Sequence, residues 1–284
     1  MVSQLKKVLM KKPQKFMSKV DCNKWNYQNP LNQSLINDNY DQFHSIIINS
    51  KVEIFFLELQ DNNEELCDSI FTHDPSLVID HGAIILNMTK ELRMKEVKEH
   101  VNFYKNFNVP IIGEIVENGK VEGGDCLWIN NKLLLIGESS RTNINGIYQL
   151  NNILKKFDIN IVTIKLPKNS KTNSCFHLMS IMSMLDHDLI IGYKKFMTEE
   201  LLYILTQNKI KIIEIPEDEY LNSQTLAVNI LALSPRNLVM LKGYNKTSDL
   251  LYKENCNLNL FNGNELCIKT EGGPTCLTRP ILRI

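Results

Sequence analysis

Four short polar clusters in the sequence combine a thiol, an imidazole and carboxylates, the groups that carry nucleophilic catalysis. They read FTHDP (71–75), EGGDCLW (122–128), CFHLM (175–179) and GGPTCL (272–277). A cysteine becomes a strong nucleophile when a neighbouring group lowers its pKa or takes its proton, and a carboxylate can orient the histidine that does so. The two glycines before Cys276 let a substrate approach the backbone closely. Together, the clusters predict a cysteine nucleophile.

Each cluster also has an ordinary structural interpretation. An aspartate before proline often forms a turn, a Gly-Gly pair often marks a tight turn, and a single histidine beside phenylalanine often lies in a core. A structural zinc site needs Cys and His at short spacing, which these clusters lack. A P-loop needs Lys and Ser or Thr after its glycines, and EGGD has neither. The sequence therefore predicts no metal and no cofactor.

A repeating pattern of hairpins supplies the elements that must position these clusters. Two apolar halves joined by a short polar turn recur about every 50 residues. The hairpins are predicted at 76–86, 126–137, 184–193 and 231–243. Segments of helical periodicity, such as 141–157 and 194–210, lie between them, and each is followed by a short apolar strand.

About five such units fit into the chain when VLM near the start and TCLTRPIL near the end are counted as incomplete elements. The period favours a circular or stacked array, in which inner strand ends converge on a central channel and distant motifs meet. The alternative is a mixed α+β domain whose hairpins happen to be evenly spaced.

Length and charge narrow the classes of partner. The 284 residues suit a single catalytic domain spanning residues 1–284. Because 32 Lys and Arg balance 32 Asp and Glu, nothing favours a nucleic acid or a membrane surface, and a small-molecule substrate is expected. Homo-oligomerisation is compatible with the sequence.

Cysteine usage and the N-terminal segment bear on location. Seven cysteines without a CxxC pair indicate reduced thiols and a cytoplasmic protein. The first twenty residues are basic like a transit peptide but lack arginine, and VLMKKPQKF is better interpreted as an edge strand followed by a turn. No apolar run approaches the length of a membrane span, so the protein is predicted to be soluble.

The ordered set of motifs resembles a known family. FTHDPSLV (71–78), EGGDCLWINNKLLLIGESSRTN (122–143), FHL (176–178) and the late GGPTCL are similar to motifs of the guanidino-group-modifying enzymes. These comprise dimethylarginine dimethylaminohydrolases, arginine deiminases and amidinotransferases, and the chain is nearest to the first. The resemblance covers essentially the whole chain. It implies an α/β fold, the five-bladed αββαβ propeller called the pentein fold, in agreement with the repeat count.

The resemblance implies roles for four residues at the reacting centre. Cys276 is expected to be the nucleophile and His177 the general acid and base. Glu122 is expected to hold both the guanidinium and the histidine, and Asp74 to be the second guanidinium ligand. Asp125 is expected to give structural support.

Three further residues are expected to bind the rest of the substrate. Arg93 and Arg141 resemble the arginines that bind the α-carboxylate, and Phe16 matches a segment at the site entrance. Each has an alternative: Arg93 on a solvated face, Arg141 at the exposed start of a helix and Phe16 in the core. Cys126 and Cys175 flank the motifs and are interpreted as packing residues.

The residue types suit guanidinium chemistry. A guanidinium stays protonated, and carboxylates match its planar fork of donors. Attack by the Cys276 thiolate on the central carbon and protonation of the departing amine by His177 would leave a covalent thiouronium. Water activated by the same histidine would release a ureido product. The positive charge of the substrate itself favours the thiolate.

Two departures from the family patterns bear on the substrate. Arginine deiminases typically carry an aspartate where this chain has Met179, which favours an N-alkylated guanidine. His73 stands where dimethylarginine-type enzymes often carry an acid. The leading hypothesis is hydrolysis of N-methylated arginine to citrulline and an alkylamine. Alternatives are arginine deiminase or dihydrolase activity on unmodified arginine, an amidinotransferase, and a non-catalytic propeller that binds a guanidino or amino-acid ligand.

Overall fold

The computed structural model describes residues 2–59, 66–167 and 175–284, and its strands form five sheets of three strands each. The strands are β1 (Leu5–Met10), β2 (Glu53–Phe56), β3 (Ser76–Ile79), β4 (Gly82–Ile85), β5 (Ile111–Glu114), β6 (Cys126–Asn130), β7 (Leu133–Glu138), β8 (Asn160–Lys165), β9 (Met182–Asp186), β10 (Leu189–Gly192), β11 (Lys211–Glu214), β12 (Leu231–Ser234), β13 (Asn237–Leu241), β14 (Asn257–Phe261) and β15 (Arg279–Arg283). The five sheets are the blades of an αββαβ propeller, the pentein fold, as predicted.

Every blade repeats one pairing pattern. An inner strand pairs antiparallel with a middle strand, and the middle strand pairs parallel with an outer strand. The sheets are β3-β4-β5, β6-β7-β8, β9-β10-β11, β12-β13-β14 and β15-β1-β2, each from the inner to the outer strand. The four predicted hairpins are the inner and middle strands of the first four blades, so those predictions are confirmed.

A helix links the middle strand to the outer strand in each blade, because a parallel pair needs a long crossover. These crossover helices are α2 (Gln33–Asn49), α3 (Glu96–Asn106), α4 (Ile144–Leu154), α5 (Glu199–Gln207) and α7 (Asn245–Lys253). Two shorter helices, α1 (Cys22–Trp25) and α6 (Glu217–Asn222), lie between elements. The side chains of Asn32, Asn143 and Thr198 cap α2, α4 and α5 by accepting backbone N–H bonds, which fixes where these helices begin.

The first strand departs from its predicted place. The sequence suggested an edge strand, but β1 is the middle strand of its sheet, with Lys7 opposite Leu282 of β15 on one side and Glu53 of β2 on the other. The fifth blade thus joins both ends of the described chain, and Gln4 and Ile284 exchange two backbone hydrogen bonds of 3.0 Å. The edge prediction was wrong because the partner β15 is far away in the sequence.

The inner strands meet around the centre of the propeller. β9 contacts both β6 and β12, and β3 contacts β15. The middle strands β4, β7 and β10 are buried along most of their length, which explains their continuous apolar runs. None of the helices in the described ranges has the length and apolar character that a bilayer crossing requires.

Candidate active site

All four polar clusters lie at the same ends of the inner strands. Asp74, Glu122, His177 and Cys276 each stand a few residues before β3, β6, β9 and β15 respectively. Asn229 occupies the corresponding place before β12. Each of the five blades therefore contributes one polar side chain to the same end of the channel, which we call the front mouth.

His177 and Glu122 form a buried pair at the front mouth. The His177 Nε2 lies 3.0 Å from the Glu122 Oε2, and the other Glu122 oxygen accepts a 3.0 Å hydrogen bond from the backbone N–H of Thr89. Burial by itself would raise the pKa of Glu122, but the hydrogen bond from His177 and the charge of Arg141 lower it to about 2. Glu122 is thus an anion at neutral pH and fixes the imidazole ring.

The electrostatic surroundings favour the imidazolium form of His177. Burial opposes its charge, yet Cys175 and Asp125, together with the hydrogen bonds to Cys175 and Glu122, raise the pKa of His177 well above its ordinary value. A protonated histidine is a ready proton donor for a leaving group. Gly124 leaves room for the ring, since a Cβ at that position would overlap the imidazole.

Cys276 lies half-buried beside Asn229. The Asn229 Nδ2 donates to the Cys276 Sγ at 3.4 Å, and its Oδ1 accepts from the backbone N–H of Thr275 at 3.0 Å. Burial, together with the charges of Asp74 and Cys175, raises the pKa of the Cys276 thiol to about 12. The charge of His177 acts in the opposite direction but does not outweigh them. The resting form is therefore the thiol. Sequence reasoning missed Asn229, whose only signal is its position before the fourth inner strand, β12.

Asp74 is fully engaged by protein donors. Its Oδ2 accepts from the Arg93 Nη1 at 2.7 Å and its Oδ1 from the backbone N–H of Gly124 at 2.9 Å. Although burial would raise the pKa of this carboxyl, Arg93 and His177 hold it well below its usual range. The neighbouring Arg93 is buried and also pairs with Glu96, whose Oε2 lies 2.9 Å from the Arg93 Nη2. The solvated-face alternative for Arg93 is therefore wrong.

Arg141 faces Glu122 instead of solvent. Its Nη1 lies 3.3 Å from the Glu122 Oε2, and its side chain is 13% exposed. The alternative that Arg141 stands at the start of a helix is nearly right about its position, because α4 begins three residues later. The residue that caps α4 is Asn143. Both carboxylates expected to hold a guanidinium are thus already paired with an arginine of the protein.

Phe16 belongs to a packed apolar cluster. It is half-buried, precedes a short 3-10 turn (Met17–Lys19) and packs against the same buried apolar side chains as Cys276. It does not line the cavity beside Cys276 that the described residues form, which agrees with the core alternative. Trp25 and Asn26, farther along the same part of the sequence, do line that cavity, and the Lys90 Nζ lies 5.2 Å from the centroid of the Trp25 ring.

Cys175 is not the packing residue that the sequence suggested. Its Sγ lies 3.4 Å from the His177 Nδ1, and its backbone N–H donates to the Glu271 Oε2 at 3.0 Å. Cys175 and Cys276 line the same cavity, so the packing interpretation was wrong for Cys175. It was right for Cys126, which is 2% exposed inside a core cluster.

Two neighbours of the expected site residues brace its loops. Asp125 accepts from the backbone N–H of Leu178 at 2.9 Å and from the Ser139 Oγ at 2.7 Å, and so supports the loop that carries His177. His73 donates from Nδ1 to the carbonyl of Thr278 at 2.8 Å, and its backbone N–H donates to the Cys276 carbonyl at 3.2 Å. Burial and the charge of Arg279 lower the pKa of His73 to about 3, so it holds the nucleophile loop as a neutral ring.

Charged groups around Cys276 line one cavity at the front mouth, which we call the front cavity. Within the described ranges it is lined by Trp25, Asn26, Asp68, Phe71, Asp74, Lys90, Arg93, Arg141, Cys175, Thr270, Glu271, Gly272 and Cys276. Six of the seven expected site residues thus lie in or beside one cavity, His177 and Glu122 through their contacts with Cys175 and Arg141. Acidic and basic side chains alternate around it, a lining suited to a zwitterionic ligand with a cationic and an anionic end.

Comparisons with known proteins agree with this geometry. A family model described as arginine deiminase matches residues 60–207. The dimethylarginine dimethylaminohydrolase of Pseudomonas aeruginosa is 27% identical over 216 residues, covering 76% of this chain and 78% of that protein. An arginine deiminase of Borreliella afzelii is 26% identical over 253 residues, covering 75% of this chain but only 60% of that protein, which is longer.

A solved structure shares the fold. The P. aeruginosa dimethylarginine dimethylaminohydrolase complexed with citrulline superimposes with a TM-score of 0.80 at 22% identity, covering 99% of this chain and 100% of that one. The family model spans more than half of the 284 residues, and relatives of two activities align with three quarters of them. The chain therefore belongs to the arginine deiminase family of guanidino-group-modifying enzymes, hydrolases that act on the carbon–nitrogen bonds of linear amidines.

Proposed function

We propose that the protein hydrolyses a guanidino substrate with Cys276 as nucleophile, and that the substrate is an N-methylated arginine converted to citrulline and an alkylamine. The observation that carries the proposal is the convergence of Cys276, His177, Glu122 and Asp74 before four inner strands around one cavity. Roles for these residues rest on this geometry and on the chemistry of the groups.

Substrate binding begins with an exchange of ion pairs. In the unliganded protein Glu122 pairs with Arg141 and Asp74 with Arg93. A substrate guanidinium takes a place between the two carboxylates, and the arginines turn their free donors to the α-carboxylate of the same substrate. Opposite charges are thereby matched at both ends, which orients the central guanidinium carbon over Cys276.

The first half of the reaction forms a thiouronium. The cationic substrate lowers the pKa of the neighbouring Cys276 thiol, which releases its proton to solvent. The thiolate attacks the guanidinium carbon, and a carbon–sulfur bond forms while the π electrons of the carbon–nitrogen bond move onto nitrogen. The imidazolium of His177 donates its proton to the amine, and the carbon–nitrogen bond breaks to release the neutral alkylamine.

The second half uses the same residues in reverse. Neutral His177 takes a proton from water, and the hydroxide attacks the thiouronium carbon. As this second adduct collapses, the carbon–sulfur bond breaks and its electron pair returns to Cys276 as a thiolate, while the hydroxyl proton passes to solvent and the carbonyl of the ureido group forms, which releases citrulline. Glu122 stays ionised throughout and stabilises the imidazolium each time it forms.

The preference for an N-alkylated guanidine rests on Met179. This half-buried side chain lines a small cavity together with Cys276 and His177. An apolar side chain beside the position of the leaving amine accommodates methyl groups better than a second carboxylate would. The preference is therefore for the methylated amine over ammonia.

A second candidate, deimination of unmodified arginine, is favoured by Glu271. Its carboxylate lines both small cavities beside Cys276 and supplies an anion that the sequence did not indicate. An anion there can bind the unsubstituted terminal nitrogens of arginine. The relatives named arginine deiminase give the same direction.

Mass spectrometry of the products separates these candidates. The purified protein and its Cys276→Ser variant are incubated with arginine, monomethylarginine, asymmetric dimethylarginine and agmatine. Citrulline with methylamine or dimethylamine supports the leading proposal, and citrulline or ornithine from arginine alone supports the second. If no substrate gives a product that depends on Cys276, the proposed catalysis is wrong.

The free thiols bear on the subcellular location of the protein. All seven cysteines lie in the described ranges and are free, two of them in the reactive cavity. We propose that the protein works in the cytoplasm, where thiols stay reduced. Fractionation of the source cells with an antibody to this chain tests that location.

A further inference from the structure

A second cavity opens at the other ends of the inner strands, which we call the rear mouth. It has a volume of about 280 Å³, and most of its lining residues lie on or just beyond the inner strands whose starts carry the candidate active site. Its lining residues are Val2, Ser3, His73, Leu77, Val78, Ile79, Asp80, Cys126, Leu127, Trp128, Asn131, Met179, Ser183, Met184, Ile230, Leu231, Ala232, Thr275, Arg279, Pro280, Ile281, Leu282 and Arg283. Met179 lines both this cavity and the small one beside Cys276, but none of the six residues proposed to bind or react with the guanidino substrate lines it.

Two arginines of β15 give the rear mouth a positive charge. Arg279 is 4% exposed, one of its terminal nitrogens donates to the His73 carbonyl, and its Nε has no hydrogen-bond partner. Among the residues that the structure describes, no carboxylate forms an ion pair with Arg279 or Arg283. The one acidic side chain in the lining, Asp80, is exposed at the hairpin turn. A buried guanidinium with an unpaired N–H and no counter-charge is unfavourable unless a ligand supplies the anion.

The titration of neighbouring groups reflects both burial and the charge of Arg279. Burial lowers the pKa of Arg279 against the effects of Tyr104, Cys126 and Asp74, and burial followed by the charge of Arg279 lowers the pKa of His73 and of His100 to about 3. Arg279 remains charged at neutral pH because a guanidinium loses its proton only in strong base. An anion bound beside it would relieve this uncompensated positive charge.

The lining of the rear mouth suits a ligand with a single negative charge and an apolar body. Most of the lining side chains are apolar, and Trp128 adds an aromatic ring. Arg283 donates from Nη1 to the Ser3 carbonyl at 2.7 Å and from Nη2 to the Ala232 carbonyl at 2.9 Å, so much of its donor capacity is taken. The rim carboxylate of Asp80 disfavours a second negative charge.

We propose that the rear mouth is a binding site for a small organic monocarboxylate, whose carboxylate pairs with Arg279 and whose apolar body packs against Trp128. The site shares Met179 with the candidate active site, but none of the side chains proposed to react with a guanidino substrate. Its occupant differs in class from a guanidino substrate, since it carries no cation and needs no acidic partner in the protein.

The two tryptophans of the chain make a direct test possible, because Trp25 lines the front cavity and Trp128 the rear one. In a Trp25→Phe variant, the remaining fluorescence reports the rear mouth alone. Titration with 4-phenylbutyrate should change the Trp128 emission until it saturates. The uncharged 4-phenylbutanol should bind at least about tenfold more weakly, since a charge-assisted bond to a buried guanidinium is lost.

The second variant adds Arg279→Met to Trp25→Phe, and the affinity for 4-phenylbutyrate should fall by about tenfold or more. If this variant does not fold, the comparison of the acid with the alcohol still decides, because it needs only the Trp25→Phe protein. Saturating citrulline, which would occupy the front cavity, should not displace 4-phenylbutyrate. Absence of a saturable signal, equal binding of acid and alcohol, or displacement by citrulline would overturn the proposal.

Discussion

The two mouths of the propeller channel differ in how their charges are compensated. At the front mouth, Glu122 and Asp74 each pair with an arginine of the protein. At the rear mouth, Arg279 and Arg283 have no carboxylate partner among the described residues. The difference teaches that one set of strands can carry two cavities suited to unlike ligands. The ion pairs of the front mouth suit a ligand that has both a cationic and an anionic group, because each group can replace one partner of a pair. The unpaired arginines of the rear mouth suit a ligand that carries a negative charge.

The largest effect expected from this contrast is the loss of turnover in Cys276→Ser. Because a hydroxyl is a far weaker nucleophile than a thiolate, kcat should fall by at least about 10⁴-fold. Binding of 4-phenylbutyrate at the rear mouth should be unchanged. Steady-state product assays measure the first effect, and Trp128 fluorescence of Cys276→Ser combined with Trp25→Phe measures the second. The matched control is Cys256→Ser, which changes a buried thiol in the fourth blade. This variant should have the same kcat as the unaltered protein.

The next largest effect is expected for Glu122→Gln. Loss of the carboxylate should lower kcat/KM by about 10²- to 10³-fold, since the histidine loses the group that orients and charges it. The pKa of His177 should also fall, because one of the groups that raise it is gone. The basic limb of the pH profile of kcat/KM, which reports loss of the His177 proton, should therefore move to lower pH. A basic limb that stays in place would show that Glu122 does not set this titration.

The same variant has a stability signature whose sign can be worked out. The pKa of Glu122 is about 2 in the folded protein and about 4.3 in an unfolded chain. Its ionised form thus stabilises the fold above the unfolded pKa, and this contribution is lost as the pH falls toward 2. The difference in free energy of unfolding between the unaltered protein and Glu122→Gln should shrink between about pH 5 and pH 2. Urea denaturation at several pH values measures it.

A smaller effect is expected for Cys175→Ala. The variant loses the contact with the His177 Nδ1, and one such hydrogen bond is worth about 1 kcal/mol, or about fivefold in kcat/KM. The basic limb should move to lower pH here too, because Cys175 is among the groups that raise the pKa of His177. Cys256→Ala, at a buried thiol that lines neither the front nor the rear cavity, is the matched control. An unchanged pH profile in Cys175→Ala would assign Cys175 to packing after all.

The smallest effect on catalysis is expected for Phe16→Leu. Because Phe16 packs against a core cluster and does not line the front cavity, kcat/KM should stay within about twofold. The free energy of unfolding should fall by about 1 kcal/mol. Denaturation together with product assays tests both. A large rise in KM at unchanged stability would restore the entrance role that the sequence suggested.

The sequence predicts the repeat well because hairpins and crossover helices are local patterns. The four hairpins and the helices within 141–157 and 194–210 lie where turn residues and periodicity place them. Residues that depend on distant pairing were less predictable. β1 became a middle strand through its pairing with β15, and no local signal distinguishes a middle strand from an edge strand in so short a segment.

The same distinction holds at the site. Clusters with marked composition, such as EGGD and GGPTC, pointed to Glu122 and Cys276. Asn229 lies in an apolar segment without a motif, and only the five-fold geometry brings it to Cys276. Cys175 was misjudged because its apolar neighbours in the sequence say nothing about the imidazole that it meets in space.

The closure of the fifth blade has a consequence for biosynthesis. A ribosome makes β1 before its inner partner β15, which follows only after about 270 more residues, an interval of roughly 15 to 50 seconds at ordinary elongation rates. During that interval one side of β1 is an open template for other strands. Cys276 also follows Arg93 and Arg141 in the chain, so a chain terminated before Cys276 would contain both arginines and lack the proposed nucleophile. A chaperone that shields the nascent N-terminal segment should therefore raise the yield of active protein.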